Sequence, residues 1–207
     1  MAKVIQGLES MLSGKFGDKV YVVRDGKNYI RAVPTRKKDS STPAMVISQK
    51  RFREVMRFCG MFKHSVIPQI WNLAAQGTSG FRLFQKTNSP AFAPDGSLPD
   101  VKKIRLSTGK LTLPLGLTAG RPEVDSSFIE VNWPKDKHLG GLHLKDELIA
   151  ISSANGKYSD IVETGILRGQ LSGSFELPKL PAPATHIYLF FGSRDHQNYS
   201  ESICFEV

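Results

Sequence analysis

The C-terminal half of the chain is a series of short β-rich runs separated by turn residues, and few folds accommodate such a pattern. The runs lie at residues 128–134, 146–152, 174–178, 185–191 and 202–207, with Gly, Pro or Asn-Gly between them. Short strands with regular turns between them are typical of an antiparallel β-sandwich. We expect Trp133, in an early run, and Tyr188, in a late one, to lie in the core of that sandwich.

The N-terminal half combines one hairpin with helical segments. Asp25-Gly26 separates two β-rich runs within residues 19–33, and this pair favours the positive φ values of a type I′ turn. Thr42-Pro43 predicts a helix start, because Thr can cap and Pro at the first helical position loses no needed hydrogen bond. Apolar residues recur at helical spacing over 52–66, and Pro68 should kink or restart that helix. A shorter helix is predicted after Gly80.

The charge is divided unevenly along the chain. Residues 1–110 carry 20 Lys+Arg and 7 Asp+Glu, whereas residues 111–207 carry 8 and 12. A strongly basic half can bind nucleic acid, an anionic surface or an acidic patch on another protein. It can also dock on the acidic half of a second copy, which would give a head-to-tail assembly.

Several classes of protein are excluded or disfavoured by what the sequence lacks. No apolar run approaches the roughly 18 residues of a membrane span, and the N-terminus has no signal-peptide pattern, so we expect a protein of the cytoplasm or of an assembled particle. Cys59 and Cys204 cannot form a disulfide framework. The Gly-bracketed segments 14–17 and 77–80 lack the spacing of a phosphate-binding loop. We therefore predict no cofactor.

Two histidine-containing segments carry residue types that occur in reactive sites. His138 and His143 lie near Asp136 and Asp146, but their spacing matches no zinc signature, and a polar loop is the preferred interpretation.

Asp195-His196 with Ser193 or Ser200 contains the residue types of a catalytic triad. All four crowd one predicted turn, which favours a surface hairpin. We predict no metal site and no catalytic residue.

A hydrolase or a carbohydrate-binding protein is a third possibility, because paired carboxylates across a cleft cleave glycosidic bonds. The acidic residues that could serve are Glu130, Asp136, Asp146, Glu147 and Asp160.

Several short motifs, taken in order along the chain, resemble an uncharacterised family of proteins of about 200 residues from Bacteroidota, known only as a domain of unknown function. The motifs are Gly14-x-x-Gly17, Arg31-x-x-Pro34, Thr42-Pro43-Ala44, Gln49-x-Arg51-Phe52, Trp71, Phe84, Asn88, Tyr188-x-Phe-Phe and Ser202. The resemblance implies an N-terminal domain followed by an immunoglobulin- or fibronectin-like sandwich. The N-terminal pattern is also similar to small proteins found in phage-like contexts. Met45-Val-Ile-Ser48 departs from the family pattern, and no functional residue is carried over.

The predicted fold is therefore α+β, with an N-terminal β-hairpin plus helices over 1–119 and an immunoglobulin- or fibronectin-like antiparallel β-sandwich over 120–207. The preferred function is that of a non-enzymatic structural or protein-interaction protein, in a virion-like or other large assembly. Its expected partner is another protein or a second copy.

The alternative is a nucleic-acid-binding protein that uses the basic N-terminal half. Either a nucleic acid or an acidic partner would be bound by nine basic side chains: Arg24, Lys27, Arg31, Arg36, Lys37, Lys38, Lys50, Arg53 and Arg57.

Overall fold

A computed structural model describes residues 2–4, 13–24, 26–35, 41–123, 126–136, 140–177 and 180–207. The chain divides into two compact units, Met1–Thr42 (unit 1) and Pro43–Val207 (unit 2). This division differs from the predicted boundary between residues 119 and 120. The helices that follow Thr42 share a core with the strands of the C-terminal half, so they belong to the same unit.

Unit 1 is a four-stranded antiparallel sheet. Its strands are β1 (Ala2–Val4), β2 (Gly14–Phe16), β3 (Lys19–Arg24) and β4 (Lys27–Ala32), in the order β1-β4-β3-β2. The predicted hairpin is confirmed as β3 and β4, which pair from Lys19 opposite Ala32 to Arg24 opposite Lys27. Gly26 has a φ of 69°, as a type I′ turn requires. Asp25 lies outside the described residues.

Unit 2 begins with three helices. They are α1 (Pro43–Met61), α2 (Asn72–Ala74) and α3 (Gly80–Asn88), and a π-helical turn at Ile67–Trp71 precedes α2. Helix α1 starts at Pro43, as predicted. After α1, helical structure resumes at Ile67 with π-helical hydrogen bonding; Pro68, in its first turn, has no N–H to donate. Ser79 caps α3 by accepting a hydrogen bond from Arg82 N at 3.3 Å. Short 3₁₀ turns lie at Ser89–Ala91, Val101–Lys103, Gly141–Lys145 and Arg168–Gln170.

The remaining strands form two antiparallel sheets. The five-stranded sheet contains β7 (Glu147–Ala154), β8 (Lys157–Tyr158), β9 (Val162–Leu167), β11 (His186–Gly192) and β12 (Ile203–Glu206). Its order is β12-β11-β7, with β8 and β9 both paired to β7. The three-stranded sheet contains β5 (Thr118–Gly120), β6 (Phe128–Asn132) and β10 (Ser172–Glu176), in the order β10-β6-β5. Helices with antiparallel sheets make the fold α+β, as predicted.

Both faces of the five-stranded sheet are buried. One face, with Ile149, Ile151 and Phe190, packs against the helices in what we call the helix-facing core. The opposite face packs against the three-stranded sheet in the sheet-facing core, which contains Leu148, Leu189 and Phe191 with Ile129, Val131 and Phe175. The helices, the five-stranded sheet and the three-stranded sheet thus form three layers.

Trp133 and Tyr188 do not share the single sandwich core expected from the sequence. Trp133 belongs to the sheet-facing core and Tyr188 to the helix-facing core. Tyr188 lies on β11 of the five-stranded sheet. Successive residues of a strand point to opposite faces, and both faces of this sheet are covered, so Tyr188 packs on the side away from Trp133.

Candidate functional site

The predicted basic site is divided between the two units. Unit 1 contains Arg24, Lys27 and Arg31, on β3 and β4, and unit 2 contains Lys50, Arg53 and Arg57, on α1. Arg36, Lys37 and Lys38 lie outside the described residues. The described residues of this set therefore form two separate groups, one in each unit.

The sheet of unit 1 gathers basic side chains on one face. Residues that pair directly in an antiparallel sheet point to the same side, and sides alternate along a strand. Lys27, Tyr29 and Arg31 therefore share a face of β4, and the pairing of Arg31 with Val20 and of Val20 with Lys15 adds Lys15 to it. The three cations are exposed and Tyr29 is half-buried. We call Lys15, Lys27, Tyr29 and Arg31 the basic face.

The opposite face of the same sheet is mainly apolar. It bears Phe16, Tyr21, Val23 and Ile30, together with Lys19, by the same register. Phe16 is 71% exposed and Val23 54%, whereas Tyr21 is the one buried side chain among those described in unit 1. Apart from Lys19, the exposed cations described in this sheet thus lie on the face opposite Phe16 and Val23.

The basic residues of α1 follow one stripe of the helix. Val46, Lys50, Arg53 and Arg57 recur at steps of four, three and four residues, which places them on one side. That side is opposite the buried side that carries Val55 and Cys59. None of the first eight residues of α1 is buried, and Val46, the apolar member of this stripe, is 53% exposed. We call Val46, Lys50, Arg53 and Arg57 the α1 stripe.

Two carboxylates partly balance the charge of the α1 stripe. Arg57 Nη1 lies 3.4 Å from Glu54 Oε2. Lys50 lies near Asp95, whose pKa is lowered by hydrogen bonds from Ser97 and further by the Lys50 charge. Arg53 forms no ion pair with any described carboxylate. The stripe is therefore less basic than the sequence suggests, and Arg53 is its least compensated cation.

A third basic group, absent from the predicted set, lies between α1 and α3. Arg51, Arg82 and Lys86 line a cleft of about 430 Å³ with Gln85 and Ser89. Arg51 Nη2 donates to Ser89 O at 2.9 Å, while its buried Nε has no acceptor among the described residues. Such a cleft attracts anions. The four-residue spacing of Arg82 and Lys86 predicts that these two side chains lie on one side of α3. The approach of Arg51 to them could not be predicted, because it depends on tertiary packing.

The outer face of the three-stranded sheet carries acidic and apolar side chains. Glu130 and Glu176 are exposed there, and Glu176 is opposite Phe128, which is 48% exposed. A trough of about 610 Å³ on this sheet is lined partly by Glu130, Asn132 and Ser174. Arg121, at its edge, donates to the carbonyl oxygens of Ser126 and Ala184. We call Phe128, Glu130 and Glu176 the acidic face.

A buried ionic cluster lies at the start of β7. Arg168 Nη1 is 4.0 Å from Asp146 Oδ2, and both side chains are almost completely buried. His143 Nδ1 lies 3.1 Å from the same oxygen. Burial raises the pKa of Asp146, although the hydrogen bond with His143 and the charge of Arg168 oppose the rise. Burial likewise lowers the pKa of Arg168. Because His143 is half-exposed and the pair is inside, this cluster is a structural element rather than an open site.

The acidic residues that could serve a hydrolase lie on different sheets and loops of unit 2. Glu130 lies on the three-stranded sheet, whereas Asp146 and Glu147 begin the five-stranded sheet. Asp146 is buried beside Arg168, and Glu147 Oε1 accepts a hydrogen bond from Gly165 N at 2.8 Å. Asp136 lies in the segment that follows β6, and Asp160 lies in the loop before β9. Asp136 and Asp146 both lie near Arg168, and their charges oppose the lowering of its pKa by burial.

The segment with Asp195 and His196 forms the expected turn. Ser193 Oγ donates to Asp195 Oδ1 at 2.5 Å, and this bond lowers the pKa of Asp195. His196 Nδ1 lies 3.6 Å from Glu163 Oε1 instead of approaching a serine. Ser200 Oγ donates to the carbonyl oxygen of Glu201 and accepts from Phe191 N. The serine hydroxyls are thus engaged in holding the turn and its neighbouring strand.

The predicted metal segment is only partly described. His138 lies outside the described residues, and His143 is bonded to Asp146. In the described parts of the chain, no three His, Cys, Asp or Glu side chains converge as metal ligands.

Both cysteines should react slowly in the folded protein. Burial raises the pKa of Cys59 and of Cys204 from 9.0 to about 11, which lowers the thiolate fraction about a hundredfold at neutral pH. We expect a disulfide reagent such as DTNB at pH 8 to label the folded chain at least about a hundredfold more slowly than the chain unfolded in guanidinium. A folded-state rate within tenfold of the unfolded rate would show that a thiol is activated.

None of the helices in the described ranges has the length and apolar character needed to cross a bilayer.

Comparison with known proteins gives no relative on which to base a function: no protein-family model matches the chain, and no curated protein matches it.

Proposed function

We propose that this protein is a non-enzymatic structural protein that associates with further copies of itself, head to tail, in a virion-like or other large assembly. The observation that supports this proposal is that unit 2 presents two exposed surfaces of opposite charge. The α1 stripe carries Lys50, Arg53 and Arg57, and the acidic face carries Glu130 and Glu176. Each surface also has an exposed apolar side chain, Val46 on the first and Phe128 on the second.

The two surfaces lie on opposite sides of unit 2. Helix α1 packs on one face of the five-stranded sheet through Val55 and Phe58, and the three-stranded sheet packs on the other face through Ile129 and Phe175. The α1 stripe is opposite the buried side of its helix, so it points away from the sheet. Contact between the α1 stripe and an acidic face therefore requires a second copy. Repetition of such a heterologous contact gives a filament or a ring.

The charges and the apolar groups make different contributions to this contact. Opposite charges steer the encounter and set the register, whereas exposed apolar side chains such as Val46 and Phe128 provide most of the affinity when they are buried. Because Lys50 and Arg57 have carboxylate neighbours in their own copy, Arg53 should be the most sensitive cation of the interface.

Charge reversal tests the proposal. The variants Arg53→Glu/Arg57→Glu and Glu130→Lys/Glu176→Lys should each remain monomeric in sedimentation velocity at concentrations where the wild-type chain associates. An equimolar mixture of the two variants should associate again. The α1 stripe made negative in the first variant then meets the face made positive in the second, and the unchanged stripe of the second meets the unchanged acidic face of the first. The control variant Lys145→Glu/Lys157→Glu makes the same change of net charge as Arg53→Glu/Arg57→Glu, but at exposed positions outside both surfaces. It should associate like the wild type.

The proposal would be wrong if the wild-type chain were monomeric at about 100 μM in low salt, or if the mixture failed to restore association. Loss of association in the Lys145→Glu/Lys157→Glu control would also contradict it, because general repulsion would then explain the result.

Nucleic-acid binding is the second candidate function, and the basic face of unit 1 favours it.

We further propose that the two face-to-face sheets of unit 2 form an immunoglobulin- or fibronectin-like sandwich, in agreement with the family resemblance drawn from the sequence. The buried inner positions of β6, β7 and β10 support that proposal.

A further inference from the structure

We infer that the basic face of unit 1 binds single-stranded nucleic acid, with β4 following the strand and Tyr29 stacking on a base. This inference concerns unit 1 alone and does not depend on the association of unit 2. It rests on the register of the sheet, which places Lys15, Lys27 and Arg31 around one aromatic ring.

The spacing of the side chains suits an alternation of phosphates and bases. Along an extended strand, residues on the same face are about 6.8 Å apart, so Lys27, Tyr29 and Arg31 form a line of cation, ring and cation about 13–14 Å long. Lys15 lies across the sheet from Arg31, two strand spacings or about 9–10 Å away. Val20 and Val22, on the neighbouring strand β3, share this face with them.

The charges of this face are available for a ligand. Lys15, Lys27 and Arg31 are exposed and form no ion pair with a described carboxylate. This distinguishes them from Lys50 and Arg57 on α1, which have carboxylate neighbours.

A single strand fits this face better than an acidic polypeptide or a duplex. An acidic polypeptide would use the three cations and leave the ring of Tyr29 without a matched partner. A duplex would present phosphates, but its bases are stacked inside and cannot lie on Tyr29. Unstacked bases on aromatic side chains, with cations along the backbone, are the usual features of sequence-tolerant single-strand binding.

The test is fluorescence anisotropy of the full-length, nuclease-treated chain with labelled oligo-dT of 20 nucleotides and with a 20-base-pair duplex, over a range of salt concentrations. We expect tighter binding to the single strand. Lys27→Glu should weaken it at least fivefold, whereas Lys19→Glu, the same change on the other face of the sheet, should change it less than twofold. Lys27→Gln/Arg31→Gln should lower the slope of log K against log salt by about 1.4, or 0.7 for each phosphate contact.

The ring is tested separately. Tyr29→Phe keeps the aromatic face and should retain binding, whereas Tyr29→Leu keeps an apolar group on the sheet but removes the ring, and should weaken single-strand binding about tenfold. Thermal unfolding of both variants shows whether the sheet is intact. If Tyr29→Leu does not fold, the comparison of Lys27→Glu with Lys19→Glu still decides the proposal.

Three results would overturn the inference. They are equal affinity for polyglutamate and oligo-dT, equal losses for Lys19→Glu and Lys27→Glu, and duplex binding at least as tight as single-strand binding. The variant Arg53→Glu/Arg57→Glu should retain most of the single-strand affinity, so failure of the self-association proposal leaves this inference unaffected.

Discussion

Replacing Arg168 by alanine should lower the free energy of unfolding of unit 2 by about 3–5 kcal/mol. The guanidinium is 2% exposed, lies 4.0 Å from Asp146 Oδ2, and is 5.2 Å from the ring centre of Phe191. Its removal leaves the buried Asp146 with the half-exposed His143 as its remaining basic neighbour in the described chain. Urea unfolding followed by tryptophan fluorescence measures the effect, because both tryptophans, Trp71 and Trp133, belong to unit 2.

Two further variants separate the causes of this loss. Arg168→Lys keeps the positive charge and should lose less stability than Arg168→Ala. Arg168→Leu/Asp146→Leu removes both buried charges and should recover most of the stability, because an apolar pair requires no desolvation of ions. A loss below about 1 kcal/mol for Arg168→Ala would contradict the assignment of a buried, coupled pair.

Replacing Phe84 by alanine should destabilise unit 2 by about 3–5 kcal/mol. Phe84 is fully buried on α3 and contacts three aromatic rings, with centre-to-centre distances of 5.7 Å to Phe58, 5.5 Å to Phe62 and 5.0 Å to Trp71. Alanine would leave a cavity among these rings, and aromatic pairs contribute beyond their buried area. The same urea experiment gives the value.

Phe84→Leu is the matched control, since it keeps most of the volume and should cost less than about 1.5 kcal/mol. Thr87→Ala, an exposed change on the same helix, should stay within about 0.5 kcal/mol of the wild type. Equal stability of Phe84→Ala and Phe84→Leu would show that the space around residue 84 closes when the ring is removed.

Local signals predicted the local structure well. Asp25-Gly26 between β-rich runs predicted β3 and β4, and Thr42-Pro43 predicted the start of α1. Both signals depend on the conformational preferences of one or two residues, which tertiary packing did not override. Cys59 lies within the apolar pattern of residues 52–66 and is buried on α1.

The sequence did not predict that helices and strands share one unit. The run from Leu148 to Ile151 and the run from Ile187 to Phe191 are apolar at every position. Strands of this kind are buried on both faces, and the helices cover the second face. Interpreted as ordinary sandwich strands, these runs predict a boundary near residue 120 instead.

The candidate surfaces were predictable in part. Helical spacing alone places Lys50, Arg53 and Arg57 on one stripe, and alternation along β4 places Lys27 and Arg31 on one face. The sequence could not predict that Lys15 joins this face, because that follows from the pairing of β2 with β3. Nor could it predict the proximity of Asp95 to Lys50, because the loop that carries Asp95 is brought to α1 by tertiary packing.

The five-stranded sheet, covered on both faces, also determines how unit 2 loses its structure. If the helices detached, Ile149, Ile151 and Phe190 would meet water, and if the three-stranded sheet detached, Leu148, Leu189 and Phe191 would do so. Neither outer layer can therefore open without a large loss of apolar burial from the central strands. Partial unfolding of unit 2 is accordingly suppressed, and its two outer layers are linked as one cooperative folding unit, so the sites they carry persist or disappear together.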